Sequence, residues 1–348
     1  MKDTYIIGEI GQNHNGSVDI AKLITELAAK PVKEGLFDLD LKPMDAVKLT
    51  KRDLNEELSA SQMASLYDTP NSFGKTYGEH RAFLELSDEE HFEVYKHAKS
   101  FGLDFVETLC SPGCRSLLKL FSPDFLKVAS RDLTNIPLLE MMAETKIPMI
   151  LSTGMASTKE LDEGLEVITK HHSNISILHC VSEYPTHPDH LNLNTINYLL
   201  KHYGQYTIGF SDHTIGISAP VVAVGMGAKI IEKHITIDRR IKGTDQAGSL
   251  GPEGVIRMVR DIRIAERWMG KEEMFIEPGV EKARFKLERS IASNKDLAPG
   301  HVITENDIHL LSPGDGVKWV DRNTLIGTTV TNAVPKNEII YTKNVSNA

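Results

Sequence analysis

Only three cysteines, Cys110, Cys114 and Cys180, occur in 348 residues. An odd number without a zinc-type pairing excludes a disulfide framework and suits a reducing compartment. No basic block appears and the formal net charge is −9, which argues against a nucleic-acid-binding surface. An anionic substrate must then be met by locally placed lysines rather than by the overall field. Long hydrophobic runs are also missing: the most apolar window, 219–235, is glycine-rich and carries Lys229, so no membrane span is expected. The opening MKDTYIIGEIGQNHNG has an apolar stretch too short for a signal peptide, and Glu9 interrupts it. Repeats and low-complexity tracts are lacking. A cytoplasmic globular protein is expected, and 41% hydrophobic with 25% charged residues is ordinary for one. The length allows one large domain and a small one.

Short apolar runs alternate with amphipathic helical ones. The strand-like runs are 5–10, 46–49, 103–108, 125–129, 149–152, 175–180, 207–211 and 229–235. Helical patterns lie between them at 19–34, 87–101, 112–121, 136–144, 158–171, 194–203 and 217–227, with a last helix at 252–268. About eight strand-helix units over roughly 250 residues predict an α/β fold, a (β/α)8 TIM barrel. An open doubly wound sheet is the alternative.

Two of the strands end in histidine. TIGFSDHT carries Ser211, Asp212 and His213, and AKIIEKHIT carries Lys233 and His234. A strand-helix-strand unit with short turns brings both histidines to the same sheet edge, where they would begin a metal site; buried core histidines are the bland alternative. The other runs also close on reactive side chains: Glu9, Lys48, Thr108, Lys127 with Ser130 and Asp132, Ser152, His179 with Ser182 and Tyr184. In a parallel barrel these are the C-terminal strand ends, where active sites sit.

Lys48 and Lys127 lie inside apolar strands, where an unpartnered cation is costly. With Thr108, Ser130, Ser152 and Ser211 they form an expected cradle for phosphate and carboxylate. The STGM turn at 152–155, ahead of the capping-box pattern STKE at 157–160, would add helix N-terminal amides. The GMG at 225–227 falls within a helix and reads as close packing rather than a dinucleotide fingerprint. After Gly270 the texture changes. Residues 1–270 read as the barrel, 271–288 as a charged linker, and 289–348 as a compact β-rich module with the pieces APGHVIT, SPGDG and VPKNEII.

Several of these motifs carry a resemblance. EIGQNHNG at 9–16, DAVKL at 45–49, TYGEHR at 76–81, LKVASRD at 126–132, LSTGM at 151–155, LHCVSEYPT at 178–186, GFSDHT and EKHIT resemble the sialic acid synthase (N-acetylneuraminate synthase) family. SPGDG and VPKNEII resemble that family's antifreeze-like, or SAF, domain. The resemblance covers nearly the whole chain. It implies condensation of phosphoenolpyruvate with a mannose-type aldose, using Mn²⁺ or Mg²⁺, in a domain-swapped homodimer whose C-terminal module caps the partner's barrel. It makes His213 and His234 the metal ligands. Lys48, Thr108, Lys127, Ser130, Ser152 and Ser211 would hold phosphoenolpyruvate, and Tyr184 and Asp245 would face the sugar. Glu9 and Asp132 become candidates for proton handling or sugar contact, and Lys48 and Lys127 join them as catalytic candidates. Asp132 stands where the family more often has Glu, and Ser182 replaces an asparagine usual near the enolpyruvate. Thr50 and Ser312 replace a glutamine and an arginine on the sugar side, so a mannose-type aldose other than plain N-acetylmannosamine is expected, such as mannose, a phosphorylated mannose derivative (mannose 6-phosphate) or a diacetamido-dideoxy sugar, unless Lys318 or Arg322 takes over the arginine's role. A non-catalytic carbohydrate- or ice-binding protein on the same scaffold is a second class. A related 3-deoxy-sugar-acid synthase without the C-terminal module is disfavoured by SPGDG.

Overall fold

The computed structural model describes residues 3–346, which divide into two compact units, the first ending at Gly270 and the second beginning at Lys271. The first unit contains eight parallel strands: β1 (Tyr5–Gly11), β2 (Ala46–Lys51), β3 (Asp104–Leu109), β4 (Phe125–Val128), β5 (Met149–Ser152), β6 (Ile175–Cys180), β7 (Thr207–Asp212) and β8 (Ile230–His234). β1 pairs in parallel with both β8 and β2, so the sheet closes and an open doubly wound topology is excluded.

The pleat explains the interior. Side chains alternate faces along a strand, and Ile7, Ala46, Val106, Ile150, Leu178 and Ile230 form one apolar layer inside the barrel. Gly209 has no room for a side chain at this level, because a Cβ would lie 2.5 Å from both Ile230 O and a Leu178 methyl. Two residues further along each strand the inward positions are Glu9, Lys48, Thr108, Ser152, Cys180 and Glu232. Thus an apolar floor carries a polar layer, and one sequence step of two converts one into the other. The outward residues, among them Phe105, Leu126, Met149, Ile177 and Ile231, pack under the helices in the main core.

The helices start on side-chain caps. Ser17 caps Val18–Ala28, and capping boxes at Ser87 with Glu90 and at Ser157 with Glu160 open Asp88–Ser100 and Thr158–Thr169; each cap contributes about 1 kcal/mol. The helical pattern read over 19–34 stops at Ala28. Pro31 cannot donate to an interior turn, and the chain turns instead into a small antiparallel ribbon, Val32–Glu34 with Leu39–Leu41. The helix Pro252–Trp268 is tied to the first two strands through buried Arg263, which donates to Asp45 Oδ2 at 2.8 Å and to Thr4 O at 2.6 Å.

The second unit is built from two short antiparallel ribbons, Ser290–Ser293 with Ile308–Leu311 and Thr329–Val330 with Val345–Ser346. Ile291, Leu297, Ile303, Ile308, Leu325, Val330, Val334 and Ile340 form its own core. The stretch read as a linker carries a helix, Glu281–Leu287.

Candidate active site

Strand register sets the geometry. Glu9 is the cross-strand partner of Lys48 on one side and of His234 on the other. Glu232 is the partner of Ser211, Thr108 of Lys127, and Cys180 of Ser211. These positions surround a cavity of about 320 Å³ at the C-terminal ends of the strands, within the size range of small-molecule sites.

At its base two lysines share one carboxylate. Lys48 Nζ lies 3.4 Å from Glu232 Oε2 and Lys127 Nζ 3.7 Å from Glu232 Oε1, while Ser211 donates to Glu232 Oε1 at 3.0 Å. Lys48 also contacts Glu9 and donates to Thr108 Oγ1 at 3.4 Å. Burial pushes the Lys48 ammonium down to about 8; Glu232 opposes this shift and Lys127 adds to it. Burial alone would raise the Glu232 carboxyl, but Lys127 and Lys48 outweigh it and hold the group below its usual range. The base is therefore a compensated charge cluster. An entering anion can take over the cationic partners that Glu232 now satisfies.

His213 and His234 face each other with ring centroids 5.8 Å apart. His213 Nδ1 donates to Val181 O at 2.8 Å, which in the neutral ring leaves Nε2 with its lone pair. Burial lowers His234 to about 4, so its imidazole is neutral at pH 7, and its buried Nδ1 has no hydrogen-bond partner. Among the described residues no group of three or more metal-type donors forms. Burial pushes His213 down, but its contacts with Cys180 and Val181 O outweigh this and hold it above its ordinary value. The ring nitrogen of His213 that faces away from Val181, once deprotonated, and the orphaned nitrogen on His234 fit a divalent cation that keeps several positions open. The Tyr184 ring lies tilted against His213, with centroids 4.0 Å apart, and edge-on to His234 at 6.1 Å.

Of the residues singled out from sequence, Glu9, Lys48, Thr108, Lys127, Ser130, Ser152, Ser182, Tyr184, Ser211, His213, His234 and Asp245 all line this cavity. Asp132 does not. It is buried behind Arg131, 3.4 Å from Nε, and burial raises its carboxyl despite that guanidinium. The amide of Gly154 in the STGM turn is occupied by Ser130 Oγ at 3.0 Å. Sequence reasoning missed Glu232 and three arginines, Arg52, Arg81 and Arg131, that also line the cavity. Glu232 was legible in parity: it sits two residues before His234, hence on the same face. The arginines come from separate segments, a loop, a short helix and a 3-10 turn, and share no local pattern.

A closed parallel barrel with buried lysines and paired histidines at its C-terminal strand ends is the architecture of a barrel enzyme. Comparison with known proteins identifies the family. The NeuB family profile matches residues 42–274 and the SAF domain profile residues 288–346. The N-acetylneuraminate-9-phosphate synthase of Homo sapiens is 31% identical over 345 residues, covering 99% of this chain and 93% of that protein. The N,N'-diacetyllegionaminic acid synthase of Legionella pneumophila is 32% identical over 333 residues, covering 93% and 89%. The solved N-acetylneuraminic acid synthetase of Leptospira borgpetersenii, in complex with citrate, superposes with a TM-score of 0.66 at 28% identity, covering 81% of this chain and 90% of that one. The chain belongs to the NeuB family of nonulosonic acid synthases and is an enzyme of the transferase class.

Proposed function

We propose that this protein condenses phosphoenolpyruvate with the open-chain form of a mannose-type aldose, releasing phosphate and a 3-deoxy nonulosonic acid. The observation that carries the reading is the pair of buried lysines, Lys48 and Lys127, compensated by Glu232 beside two histidines in one strand-end layer. In the proposed complex the lysines take the phosphate and carboxylate of phosphoenolpyruvate, and Thr108, Ser130, Ser152 and Ser211 add hydroxyl donors. Ser182 lines the enolpyruvate side, while Tyr184 and Asp245 orient the sugar. A divalent ion, Mn²⁺ or Mg²⁺, held by His213 and His234 would supply polarisation of the aldehyde. Carbon 3 of the enol bonds to the aldehyde carbon as the C=O π bond breaks, water adds at the electron-poor C2, and the proton that water releases passes through Glu9 to the former aldehyde oxygen, which becomes a hydroxyl. C–O cleavage then expels phosphate, whose charge the two lysines neutralise in place. Asp132 serves by holding Arg131.

The reading also includes a cytoplasmic homodimer in which the C-terminal unit of one protomer covers the partner's barrel mouth. Buried unpaired cysteines support the compartment, and exposed Phe275, Ile276, Phe285 and Leu287 support a partner surface. A monomeric mass with full activity at nanomolar protein would refute the dimer. The decisive experiment on function measures phosphate release with phosphoenolpyruvate, Mn²⁺ and a panel of N-acetylmannosamine, mannose and their 6-phosphates. Release that requires both the enolpyruvate and an aldose is expected. Silence with every aldose would leave a carbohydrate-binding scaffold instead.

A further inference from the structure

The three arginines missed in the sequence form one wall of the cavity, and their arrangement is not used by the chemistry above. Arg52 follows β2, Arg81 sits on the helix Tyr77–Phe83, and Arg131 follows β4. All three converge on Glu57: Arg52 Nε at 3.6 Å, Arg81 Nη2 at 3.4 Å and Arg131 Nη2 at 3.1 Å. Arg52 also pairs with Glu85 at 3.3 Å, and the Gln12 amide oxygen accepts from Arg52 Nη1 at 3.2 Å and Arg81 Nη1 at 3.3 Å. Glu57, Glu85 and Asp132 stand behind the guanidinium planes and do not line the cavity, whereas Arg52, Arg81 and Arg131 do. The face offered to a ligand is cationic. Among the described residues Arg52 Nη2 and Arg131 Nη1 have no hydrogen-bond partner, and neither is sealed from the cavity, unlike the orphaned Nε of Arg52 and of Arg81.

Position decides which end of a ligand meets this wall. In the ring order, β4 lies four places from β8, so Arg131 is across the barrel from His234. Arg52 lies four residues beyond Lys48, about 13 Å further up the wall at the rise of an extended chain. A group bound there sits away from the reacting carbons, at the far end of an extended sugar chain. The free terminal nitrogens of Arg52 and Arg131, on guanidinium groups held rigidly by carboxylates, suit a dianionic oxyanion better than a hydroxyl or an amide, and Arg81 adds its charge beside them.

We propose that Arg52, Arg81 and Arg131 form a subsite for a phosphate at the end of the aldose remote from its aldehyde, which makes this chain selective for phosphorylated over neutral sugars. The inference rests on the condensation reading for its biological meaning, but its test is a binding measurement that does not require turnover. Mannose and mannose 6-phosphate are titrated calorimetrically onto the full-length protein without phosphoenolpyruvate. The phosphorylated sugar is expected to bind about thirty-fold or more tightly, and Arg131→Gln, whose side chain is the most exposed of the three, is expected to remove about ten-fold or more of that preference. The KM for phosphoenolpyruvate should change less than the sugar ratio. Equal binding of the two sugars by the unaltered protein overturns the inference, and that comparison needs no variant to fold. A preference that survives in folded Arg131→Gln and Arg52→Gln also overturns it, because the phosphate would then be read by Lys48 and Lys127. Failure of phosphate release with every aldose would refute the catalytic reading without altering this binding result.

Discussion

Replacing Glu232 by glutamine is the sharpest test of the compensated cluster at the base of the cavity. The substitution keeps the shape of the side chain and removes the one carboxylate that lies 3.4 Å from Lys48 and 3.7 Å from Lys127. At an effective dielectric near 20, each of those pairs is worth about 5 kcal/mol of gross attraction. The net loss on breaking a buried pair is smaller, about 3–5 kcal/mol, because desolvation already consumed part of the attraction. For a domain of this size that corresponds to a melting temperature lower by about 5–10 °C. Two further signatures separate charge loss from mere repacking. Burial already depresses Lys48 to about 8 while Glu232 opposes the shift, so without Glu232 the ammonium titrates lower still. The alkaline limb of kcat/KM for phosphoenolpyruvate, expected near pH 8 in the parent, should move down by about one unit, equivalent to about 1.4 kcal/mol. Inorganic phosphate should also raise the melting temperature of Glu232→Gln more than that of the parent, since the anion supplies the missing charge. Differential scanning calorimetry with and without phosphate, and a pH profile from 6 to 10, give all three readings. A variant melting within about 2 °C of the parent with an unmoved alkaline limb would refute the cluster as described.

Loss of either imidazole, in His213→Ala or His234→Ala, should weaken Mn²⁺ binding by at least about ten-fold in calorimetry; full metal-dependent turnover in both variants would refute the assignment. Burial, the main cause, lowers His14 to about 3, and its Nδ1 accepts from Gly16 N at 3.1 Å. The unfolded chain takes up a proton near pH 6.5 that the folded chain refuses, so stability falls as pH drops from about 6.5 towards 3, by up to a few kcal/mol. His14→Gln should flatten the acid side of the Tm profile, and a profile unchanged from the parent would show that other groups govern it. Asp132→Asn should retain activity within about ten-fold, because the carboxylate touches Arg131 and not the cavity; a loss of three decades would return Asp132 to the chemistry.

The barrel was legible because parallel strands covered on both faces read as apolar runs with a polar residue where each run ends. Ile175 to Cys180 and Met149 to Ser152 were bounded correctly for that reason. The overrun at 19–34 came from a helical period that continues past Ala28 while Pro31 stops the backbone. In KIIEKHIT the eye follows the charged pair to Lys233, yet the pleat turns Lys233 outward to Asp212 at 2.6 Å and Glu232 inward. Parity, not polarity, decides which of two adjacent ionisable residues faces the cavity.

The arginine wall was not legible by parity at all, since its members belong to segments between the strands, Arg81 on the helix Tyr77–Phe83 among them, whose geometry is set by distant contacts. Their effect on the cavity is nonetheless predictable from charge. The whole chain carries −9, yet the cavity is lined by five permanent or near-permanent cations, Lys48, Arg52, Arg81, Lys127 and Arg131, against three carboxylates, Glu9, Glu232 and Asp245. In a low-dielectric cleft these local charges outweigh a diffuse opposite charge spread over the surface and screened within about 10 Å at ordinary salt. Binding of an anionic substrate should therefore depend less on ionic strength than net charge alone would suggest. The KM for phosphoenolpyruvate measured between 20 mM and 500 mM salt should rise by less than about ten-fold. A steeper dependence would place the recognising cations on the solvent side of the mouth, and would contradict the burial of Lys48 and Lys127 on which the catalytic reading stands.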